Sequence, residues 1–296
     1  MENKDTISRH FKKIENKADH KTNQIRNVDF IYLINLDKRV DRLKRCMNQF
    51  LAYHISPHRV SGIDGWKLSQ EVFDDIAMLA EPFMQYDRSV QVSFVPGGTP
   101  GRSFDPSIYG KRCLHNEAPA GGMGCSLTHL SVLEDAYSSG YETVWVLEDD
   151  FTVNRDPHDV ADCIDRLDHL TGQESWDMIY TDDNSYYTLE NVRAHCGSDY
   201  WLRPGMPMTS RLIERKPIGN DFFKIGGRTQ AHSYVIRRSG IEKILDFVKK
   251  KCLFFPFDTE LPCIEDLQLF NVKYDLVHGR DRTYSDTYYD LSRFVK

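Results

Sequence analysis

A short apolar run that ends in three carboxylates, Val144–Asp150, constrains the fold of this chain more than any other segment. Its first part, Val144–Leu147, is β-branched and aromatic, which predicts a buried strand. Glu148, Asp149 and Asp150 follow at once, and buried carboxylates must be paired, hydrogen-bonded or bound to a metal. Because ligands of open α/β sheets bind at the carboxyl ends of strands, the run predicts a polar site at that sheet edge.

Two of these acids are candidate metal ligands. Side chains along a strand alternate between faces, so Glu148 and Asp150 are expected to point the same way. Carboxylate oxygens suit Mg²⁺ or Mn²⁺, which would neutralise charge on a departing phosphate. The alternative is a turn whose acids cap the following helix or pair with arginines. His278, after the last predicted strand, is a further candidate ligand, and its alternative is a histidine in a surface loop.

Strand patterns alternate with helix patterns along the chain, which predicts an α/β domain with a largely parallel sheet. We predict a charged arm over 1–27 and a single domain over 28–296, with long insertions at about 85–118 and 182–225. The predicted strands are Val28–Leu36, His58–Val60, Val144–Leu147, Trp176–Tyr180, Ser233–Ile236 and Lys273–Val277, and the predicted helices are Lys38–Leu51, Ser69–Ala80, Gly124–Tyr137 and Ser239–Lys250.

Charge and hydropathy exclude several classes of protein. The net charge of −6 argues against nucleic acid as the main partner. No run approaches the roughly 20 apolar residues of a spanning helix. The N-terminus also lacks an apolar signal core, so the sequence predicts a cytoplasmic protein. The seven cysteines form no C-x-x-C pair, which favours reduced thiols over a disulfide framework or a zinc site.

The segment Asn35–Arg42 lies between the first predicted strand and its helix. Backbone amides at that helix start, with Arg39 and Arg42, are suited to hold a nucleotide or its phosphates. The alternative is a helix capped by Asp37, with both arginines paired to nearby acids. The segment contains no glycine, and neither the dinucleotide nor the P-loop fingerprint occurs in the chain.

Two further segments carry candidate residues. At the start of a glycine-rich helix, Ser126 and His129 lie one turn apart and are predicted to face a ligand; the alternative is a first-turn serine and a buried, hydrogen-bonded histidine. In the proline-bounded segment Pro256–Pro262, Asp258 and Glu260 are candidates for a general base raised in pKa by partial desolvation. The alternative there is a helix cap by Asp258 or Thr259.

Seven segments, taken in chain order, resemble glycosyltransferase family 25. That family includes bacterial lipooligosaccharide galactosyltransferases and the galactosyltransferases that modify collagen hydroxylysine. The opening pattern is similar to INLxxRxDR, and a later segment is similar to GCxLSH, with Thr128 in place of the usual serine. The matching segments are Phe30–Arg42, Val60–Gly65, Gly124–His129, Val146–Asp150, His232–Ile236, Pro256–Asp258 with Leu261 and Pro262, and Ser285–Thr287.

The resemblance implies a GT-A type Rossmann-like fold and a metal-dependent, inverting transfer of a hexose. UDP-galactose or UDP-glucose would be the donor, Mn²⁺ or Mg²⁺ the cofactor, and a hydroxyl of a glycan or protein the acceptor, as in lipopolysaccharide biosynthesis. Asp258 is the expected base, with Glu260 and Asp286 as substitutes. The expected donor-binding residues are Asn35, Arg39, Arg42, Asp64, Ser126, His129 and Asp149.

Three questions stay open at the level of sequence. A catalytically silent nucleotide-sugar-binding module is one rival, and a nucleotidyltransferase is another, although the latter needs a glycine-rich triphosphate loop near the first strand. The aromatic residues of the second insertion either stack on a sugar or fix the loop; they include Tyr186, Tyr187, Tyr200 and Trp201. The oligomeric state is not determined by the pattern.

Overall fold

The computed structural model describes residues 5–15, 17, 25–82, 84, 91–93, 102–103, 106–116, 118–183, 203–206, 214–279 and 285–287. The strands are β1 Phe30–Asn35, β2 His58–Ser61, β3 Met78–Leu79, β4 Gln91–Ser93, β5 Arg102–Ser103, β6 Arg112–His115, β7 Thr143–Glu148, β8 Phe151–Val153, β9 Met178–Tyr180, β10 Arg215–Ile218, β11 Phe222–Ile225, β12 Ser233–Arg237, β13 Leu269–Val272 and β14 Val277–Gly279. The α-helices are α1 Val40–Leu51, α2 Gln70–Ile76, α3 Ala120–Ser138, α4 Asp159–Thr171, α5 Arg238–Lys251 and α6 Phe257–Glu260. Short 3₁₀ turns lie at Ile7–His10, Gly65–Lys67, Pro106–Ile108, Gln173–Ser175 and Leu261–Cys263.

Eight strands form a central sheet in the order β10-β11-β13-β9-β12-β7-β1-β2. The pairs β1–β2, β1–β7 and β13–β9 are parallel, whereas β12 is antiparallel to both β7 and β9, and β11 to both β10 and β13. Six of the eight strands therefore run in one direction, and only β11 and β12 are reversed. The predicted α/β class with a largely parallel sheet is confirmed, and the arrangement is consistent with a Rossmann-like fold.

Helices cover both faces of the sheet, and the strands divide their side chains between two cores. In β7, Val144 and Val146 pack with α3 and α5 on one face, while Trp145 and Leu147 pack with α1 and α4 on the other. This alternation follows from the two-residue repeat of a strand. The same alternation determines which of the three acids after Leu147 face α3 and which face α1.

Two predictions of secondary structure are wrong. The predicted helix over Ser69–Ala80 ends at Ile76, and Met78–Leu79 form β3 instead. Of the predicted last strand, Lys273–Val277, only Val277 lies in a strand, as the first residue of β14, and the rest is a bend. The preceding strand β13 is buried along its whole length, so it shows no alternation from which its position could be predicted. The second insertion also contributes structure. Residues 215–225 form the hairpin β10–β11 at the sheet edge, where an exposed strand tolerates Pro217. In the first insertion, β6 pairs with β3 and β4.

No helix within the described ranges is long and apolar enough to cross a lipid bilayer. The longest, α3, is mostly buried in the core, which accounts for its apolar character.

The described part of the N-terminal arm, residues 5–15, packs against the domain. Ile7 is fully buried in the core beside α3 and α5. The Thr6 hydroxyl donates to the carbonyl of Asp75 at 2.5 Å, and the backbone amide of Lys12 donates to the Ser131 hydroxyl at 2.8 Å. These contacts tie the arm to α2 and α3, so it contributes to stability.

Ile7→Ala is therefore expected to lower the free energy of unfolding by about 2–5 kcal/mol, the usual cost of a cavity left by a buried aliphatic side chain. Urea denaturation followed by circular dichroism measures this change. Val40→Ala on α1 is the matched control, since Val40 is 67% exposed, and its effect should stay within about 0.5 kcal/mol. Equal effects of the two substitutions would show that the arm does not pack on the core.

Candidate active site

The candidate site lies where three strands of the central sheet end. In the parallel pair β1–β7, Ile34 lies opposite Glu148, and in the antiparallel pair β12–β7, Ser233 lies opposite Leu147. The carboxyl ends of β1 and β7 therefore meet the amino end of β12 at one sheet edge. The acidic triplet lies at the middle of this edge, as the sequence predicts.

Two adjoining compartments open at this edge. The first, here called the Asp64 compartment, has a volume of about 550 Å³, and the second, the Asp258 compartment, about 760 Å³, part of each open to solvent. Residues that line only the Asp64 compartment include Asn35, Arg42, Asp64, Trp66 and Asp149. Those that line only the Asp258 compartment include His129, Gln230, His232, Phe257 and Asp258. The shared wall consists of Cys125, Glu148, Asp150, Ser285 and Thr287.

Glu148 faces α3, as Val146 does two residues earlier. His129 on α3 is fully buried; its Nε2 lies 3.2 Å from Glu148 Oε1, and its Nδ1 lies 2.9 Å from the Tyr234 hydroxyl. The His129 ring also stacks on Phe257 at 4.6 Å. Burial works to raise the pKa of Glu148, but the hydrogen bond and charge of His129 lower it below the ordinary value. Glu148 is therefore held as a carboxylate.

Asp149 points to the opposite face, towards α1. Its carboxylate accepts hydrogen bonds from Asn35 Nδ2 at 2.6 Å and from Arg42 Nη1 at 3.2 Å. Its backbone carbonyl accepts from Arg45 Nη2 at 2.8 Å. Burial raises the pKa of Asp149 in spite of these donors. Asp149 thus joins β1, α1 and β7 beneath the Asp64 compartment.

Asp150 returns to the side of Glu148, and both line the two compartments. Asp150 Oδ1 is buried without a hydrogen-bond partner among the described residues. Burial, together with the charge of Glu148, raises the pKa of Asp150 to about 6. A buried carboxylate oxygen that lacks a donor, beside a second carboxylate, fits the ligand preference of a hard divalent cation. Glu148 and Asp150 are the residues that could hold one.

The Asp64 compartment contains two more such atoms. Arg42 Nη2 and Asp64 Oδ1 are buried and have no partner within the described ranges. The second oxygen of Asp64 pairs with Lys38 Nζ at 3.0 Å. Since buried polar atoms are rarely left unsatisfied, one hydrogen-bond donor and one acceptor lie ready for a polar ligand.

Asp258 lies at the start of α6, on the far side of the second compartment. Its Oδ2 accepts from the backbone amide of Gln230 at 2.6 Å, and its Oδ1 from that of Thr259 at 2.9 Å. Gln230 has a positive φ of 71°, a left-handed conformation that non-glycine residues adopt infrequently. Burial raises the pKa of Asp258, although the two amides oppose that shift. Such an arrangement orients a carboxylate and makes it a stronger base.

Two predicted site residues support this segment without lining either compartment. The Ser126 hydroxyl accepts from the backbone amide of Phe257 at 2.8 Å. Glu260 is 2% exposed and accepts from the amides of Phe254 and Phe255, at 2.8 and 2.7 Å, and from Arg203. Ser126 and Glu260 therefore belong to the packing of α6 and lie outside both compartments.

Two other predicted residues, Asp286 and His278, also lie outside the expected roles. Asp286 accepts from Arg39 Nη1 at 2.7 Å and lies 3.4 Å from Arg42 Nη1, so it joins the segment 285–287 to the turn before α1. His278 on β14 is 46% exposed, near Asp275 and Asp182, and it lines neither compartment. The role of further ligand predicted for His278 therefore has no support in this geometry.

Residues that the sequence reasoning left unassigned also line the compartments. Trp66 lines the Asp64 compartment. It directly follows the predicted Asp64–Gly65 turn, and this position in the sequence could have identified it as a site residue. His232 precedes β12, where its carbonyl accepts from the Glu148 amide at 2.8 Å and its Nε2 lies 3.1 Å from buried Asp182. The Asp182 contact joins residues 50 positions apart, which no local pattern reveals. The aromatic residues Tyr186, Tyr187, Tyr200 and Trp201 lie outside the described residues.

The glycines at the start of α3 permit a close backbone crossing. A Cβ atom on Gly124 would lie 2.4 Å from the amide nitrogen of Gly65, and one on Gly65 would lie 1.8 Å from the carbonyl oxygen of Ala120. Neither contact can be relieved by a side-chain rotation. The crossing brings Asp64 and Trp66 over the start of α3.

Gly124→Ala is expected to destabilise the fold by about 1–3 kcal/mol, because the added methyl group forces two backbones apart. A thermal unfolding scan would register the loss. Ser138→Ala, at the exposed end of the same helix, is the control, and its effect should stay within about 0.5 kcal/mol. An unchanged melting temperature for Gly124→Ala would contradict the crossing.

Comparisons with known proteins find related sequences over most of the chain. The family model for glycosyltransferase family 25 (LPS biosynthesis protein) matches residues 28–260. A glycosyltransferase 25 family member from Aedes aegypti is 27% identical over 201 residues, which cover 64% of this chain and 29% of that protein. The inactive glycosyltransferase 25 family member 3 of Homo sapiens is 29% identical over 154 residues, or 51% of this chain and 21% of its own length. The chain thus spans less than a third of the length of these relatives.

Proposed function

The chain belongs to glycosyltransferase family 25, and we propose that it transfers a hexose from UDP-galactose or UDP-glucose to a hydroxyl of a glycan or protein, with inversion. One observation carries the proposal. Three buried polar atoms, on Arg42, Asp64 and Asp150, have no partner among the described residues, and these three residues line the Asp64 compartment. The adjoining compartment contains the partly desolvated carboxylate of Asp258. A donor site and a base are thereby separated by one shared wall, in a fold that we assign to the GT-A type.

The nucleotide binds in the Asp64 compartment. Asp64 Oδ1 accepts a hydrogen bond from the uridine, and Arg42 Nη2 donates to it or to the adjoining phosphate. Trp66 offers the only aromatic ring among the described residues that line this compartment, and an aromatic face suits a stacked base. Asn35 and Asp149 act beneath the ligand by holding Arg42 in place.

The diphosphate lies at the shared wall, between Glu148 and Asp150. A Mn²⁺ or Mg²⁺ ion bound by these two carboxylates supplies Lewis-acid stabilisation of the departing diphosphate. His129 fixes the orientation of Glu148, since its ring is held by Tyr234 and Phe257. Asp150 would offer its unpartnered oxygen as a ligand to this cation.

Asp258 acts as the general base in the second compartment. The acceptor hydroxyl gives its proton to Asp258 while its oxygen forms a bond to the anomeric carbon, and the bond from that carbon to the diphosphate oxygen breaks. Each Asp258 oxygen accepts a hydrogen bond from one backbone amide, so each oxygen keeps a lone pair that can take the proton of the acceptor hydroxyl. Because Asp258 and the Asp64 compartment lie on opposite sides of the shared wall, attack from the Asp258 side inverts the anomeric centre.

The testing experiment measures UDP release from a panel of UDP-sugars, with and without Mn²⁺, first with water and then with glycan and peptide acceptors. We expect manganese-dependent UDP release from one hexose donor. Release of pyrophosphate instead would identify a nucleotidyltransferase, and failure to bind any UDP-sugar would overturn the assignment. A cytoplasmic location and a lipopolysaccharide acceptor remain predictions from sequence.

A second candidate function is a nucleotide-sugar-binding module without turnover. It is favoured by one finding, that the human relative is named an inactive member of the family. Such a module would bind UDP with Mn²⁺ yet release none from any donor and acceptor pair. The partly desolvated carboxylate of Asp258 favours turnover, because binding alone has no need of an oriented base.

A further inference from the structure

A second set of potential metal ligands lies on the wall of the Asp258 compartment. A sulfur of Cys125, a ring nitrogen of His129 and a carboxylate oxygen of Glu148 all lie within 4.8 Å of one another. Cys125 and His129 are four residues apart on α3, so they project from the same helix face, and Glu148 ends the adjacent strand. The spacing of the cysteines along the sequence does not reveal this site, because its third ligand comes from a strand and not from the helix that carries Cys125 and His129.

The donor set differs from that proposed for the hard cation. Glu148 and Asp150 offer only oxygen, whereas Cys125, His129 and Glu148 offer one sulfur, one nitrogen and one oxygen. Thiolate and imidazole ligands favour Zn²⁺ and similar ions over Mg²⁺ or Mn²⁺. Three protein ligands with an open fourth position are a common tetrahedral arrangement for Zn²⁺, with ligands about 3.4–3.6 Å apart. The three atoms lie within 4.8 Å of one another, so they must approach by about 1 Å at most to reach that spacing.

The surroundings prepare His129 for this role. The Tyr234 hydroxyl lies 2.9 Å from Nδ1 of His129, and stacking on Phe257 fixes the ring plane, so Nε2 is directed at Glu148. Metal-binding histidines in proteins are usually oriented in this way, by a hydrogen bond to the nitrogen that does not touch the metal. The carboxylates of Asp150 and Asp258 line the same compartment and add negative charge, which favours a cation.

We propose that Cys125, His129 and Glu148 form a binding site for a thiophilic divalent cation such as Zn²⁺. When the ion binds, the Cys125 thiol and the hydrogen-bonded His129–Glu148 pair each release a proton to solvent, and the ion takes the place of the hydrogen bond between His129 Nε2 and Glu148. Because Glu148 also belongs to the Glu148–Asp150 pair, occupancy of this site excludes the hard cation. Zinc therefore acts as an inhibitor of manganese-dependent donor binding, a consequence that rests on the proposed function, whereas the binding of zinc itself does not.

Cobalt titration of the metal-free protein tests the site without turnover. Co²⁺ bound by a thiolate gives a charge-transfer absorption band in the near ultraviolet, which we expect at one equivalent in the wild type. Cys125→Ser should abolish the band, and Cys163→Ser, on α4, should retain it. Tyr234→Phe should weaken cobalt binding by about tenfold or more, as loss of a ligand-orienting partner does. Circular dichroism and thermal unfolding confirm that each variant is folded.

Absence of the band in folded wild-type protein, or its persistence in Cys125→Ser, would overturn the site. A second measurement adds Zn²⁺ to the manganese-dependent UDP-release assay. The zinc concentration for half inhibition should rise by more than about tenfold in Cys125→Ser relative to Cys163→Ser. If the wild type releases no UDP even without zinc, the proposed function fails, and the cobalt band still decides the metal site.

Discussion

Asp258→Asn is expected to lower the rate of hexose transfer by about 10²–10⁴-fold while leaving UDP binding nearly unchanged. The asparagine keeps the shape of the side chain, but it cannot take the proton of the acceptor hydroxyl, which is the contribution of a general base. The nucleotide would lie in the other compartment, out of contact with this side chain. Steady-state kinetics with UDP-sugar and acceptor, alongside calorimetry with UDP and Mn²⁺, measure the two effects separately.

Asp246→Asn on α5 is the matched control, since this carboxylate is exposed and bound only to Lys250 among the described residues. Its transfer rate should equal that of the wild type. Asp286→Asn addresses the substitute base and is expected to weaken donor binding, because Asp286 pairs with Arg39 and Arg42. Asp258 would lose its assigned role if its asparagine variant kept more than about a tenth of wild-type turnover.

The pH dependence of transfer should follow the Asp258 carboxyl. Burial raises the pKa of this group above its ordinary value. A protonated carboxyl cannot accept the acceptor proton, so the rate falls as the pH drops through that raised pKa, and it is highest above it. A pH profile of kcat should therefore show an acidic limb displaced to higher pH than an exposed aspartate would give.

Asp150→Asn is expected to weaken manganese-dependent UDP binding by at least about tenfold, since the amide removes one of two anionic ligands. Glu148→Gln should have the same effect. Binding of UDP measured without metal should change little in both variants, because the uridine contacts lie elsewhere. Calorimetric titrations with UDP, in Mn²⁺ and in a chelator, provide the comparison.

Protons compete with the cation for these carboxylates. The pKa of Asp150 is raised to about 6, so the affinity for Mn²⁺ should fall as the pH decreases through about 6 and be fully present above it. Asp258→Asn is the internal control for this series, because it should lose turnover and keep the metal-dependent binding. If Asp150→Asn and Glu148→Gln both bound UDP with unchanged dependence on Mn²⁺, the metal assignment would be wrong.

The sequence predicts much of the acidic edge because a strand has a fixed repeat. Alternation beyond Leu147 places Glu148 and Asp150 together and turns Asp149 away, and the structure agrees with this. The sequence also allows Asp258 and Glu260 to be placed on different faces, because both lie on one short helix. At about 3.6 residues per turn, two residues that are two positions apart face nearly opposite sides, so only one can reach the compartment.

Other parts of the site depend on contacts that no local pattern encodes. The sequence favours His278 as a metal ligand because it follows the predicted last strand, but most of that predicted strand is a bend. His232 lines the compartment instead, and its partner Asp182 comes from the loop after a different strand. The glycine-rich start of α3 shows the same limit, since Gly124 is explained by its approach to Gly65, 59 positions earlier in the numbering.

The segment Ser285–Thr287 determines when during folding the site is complete. It lines both compartments, its Asp286 pairs with arginines beside β1, and its backbone lies within 3 Å of where a Cβ on Gly121 would be. The walls thus join residues about 250 positions apart, and the segment 285–287 is synthesised after the elements with which it pairs. A ribosome-bound chain that has already formed the sheet would still lack a closed donor compartment. Competence to bind the donor therefore reports that synthesis has passed this segment.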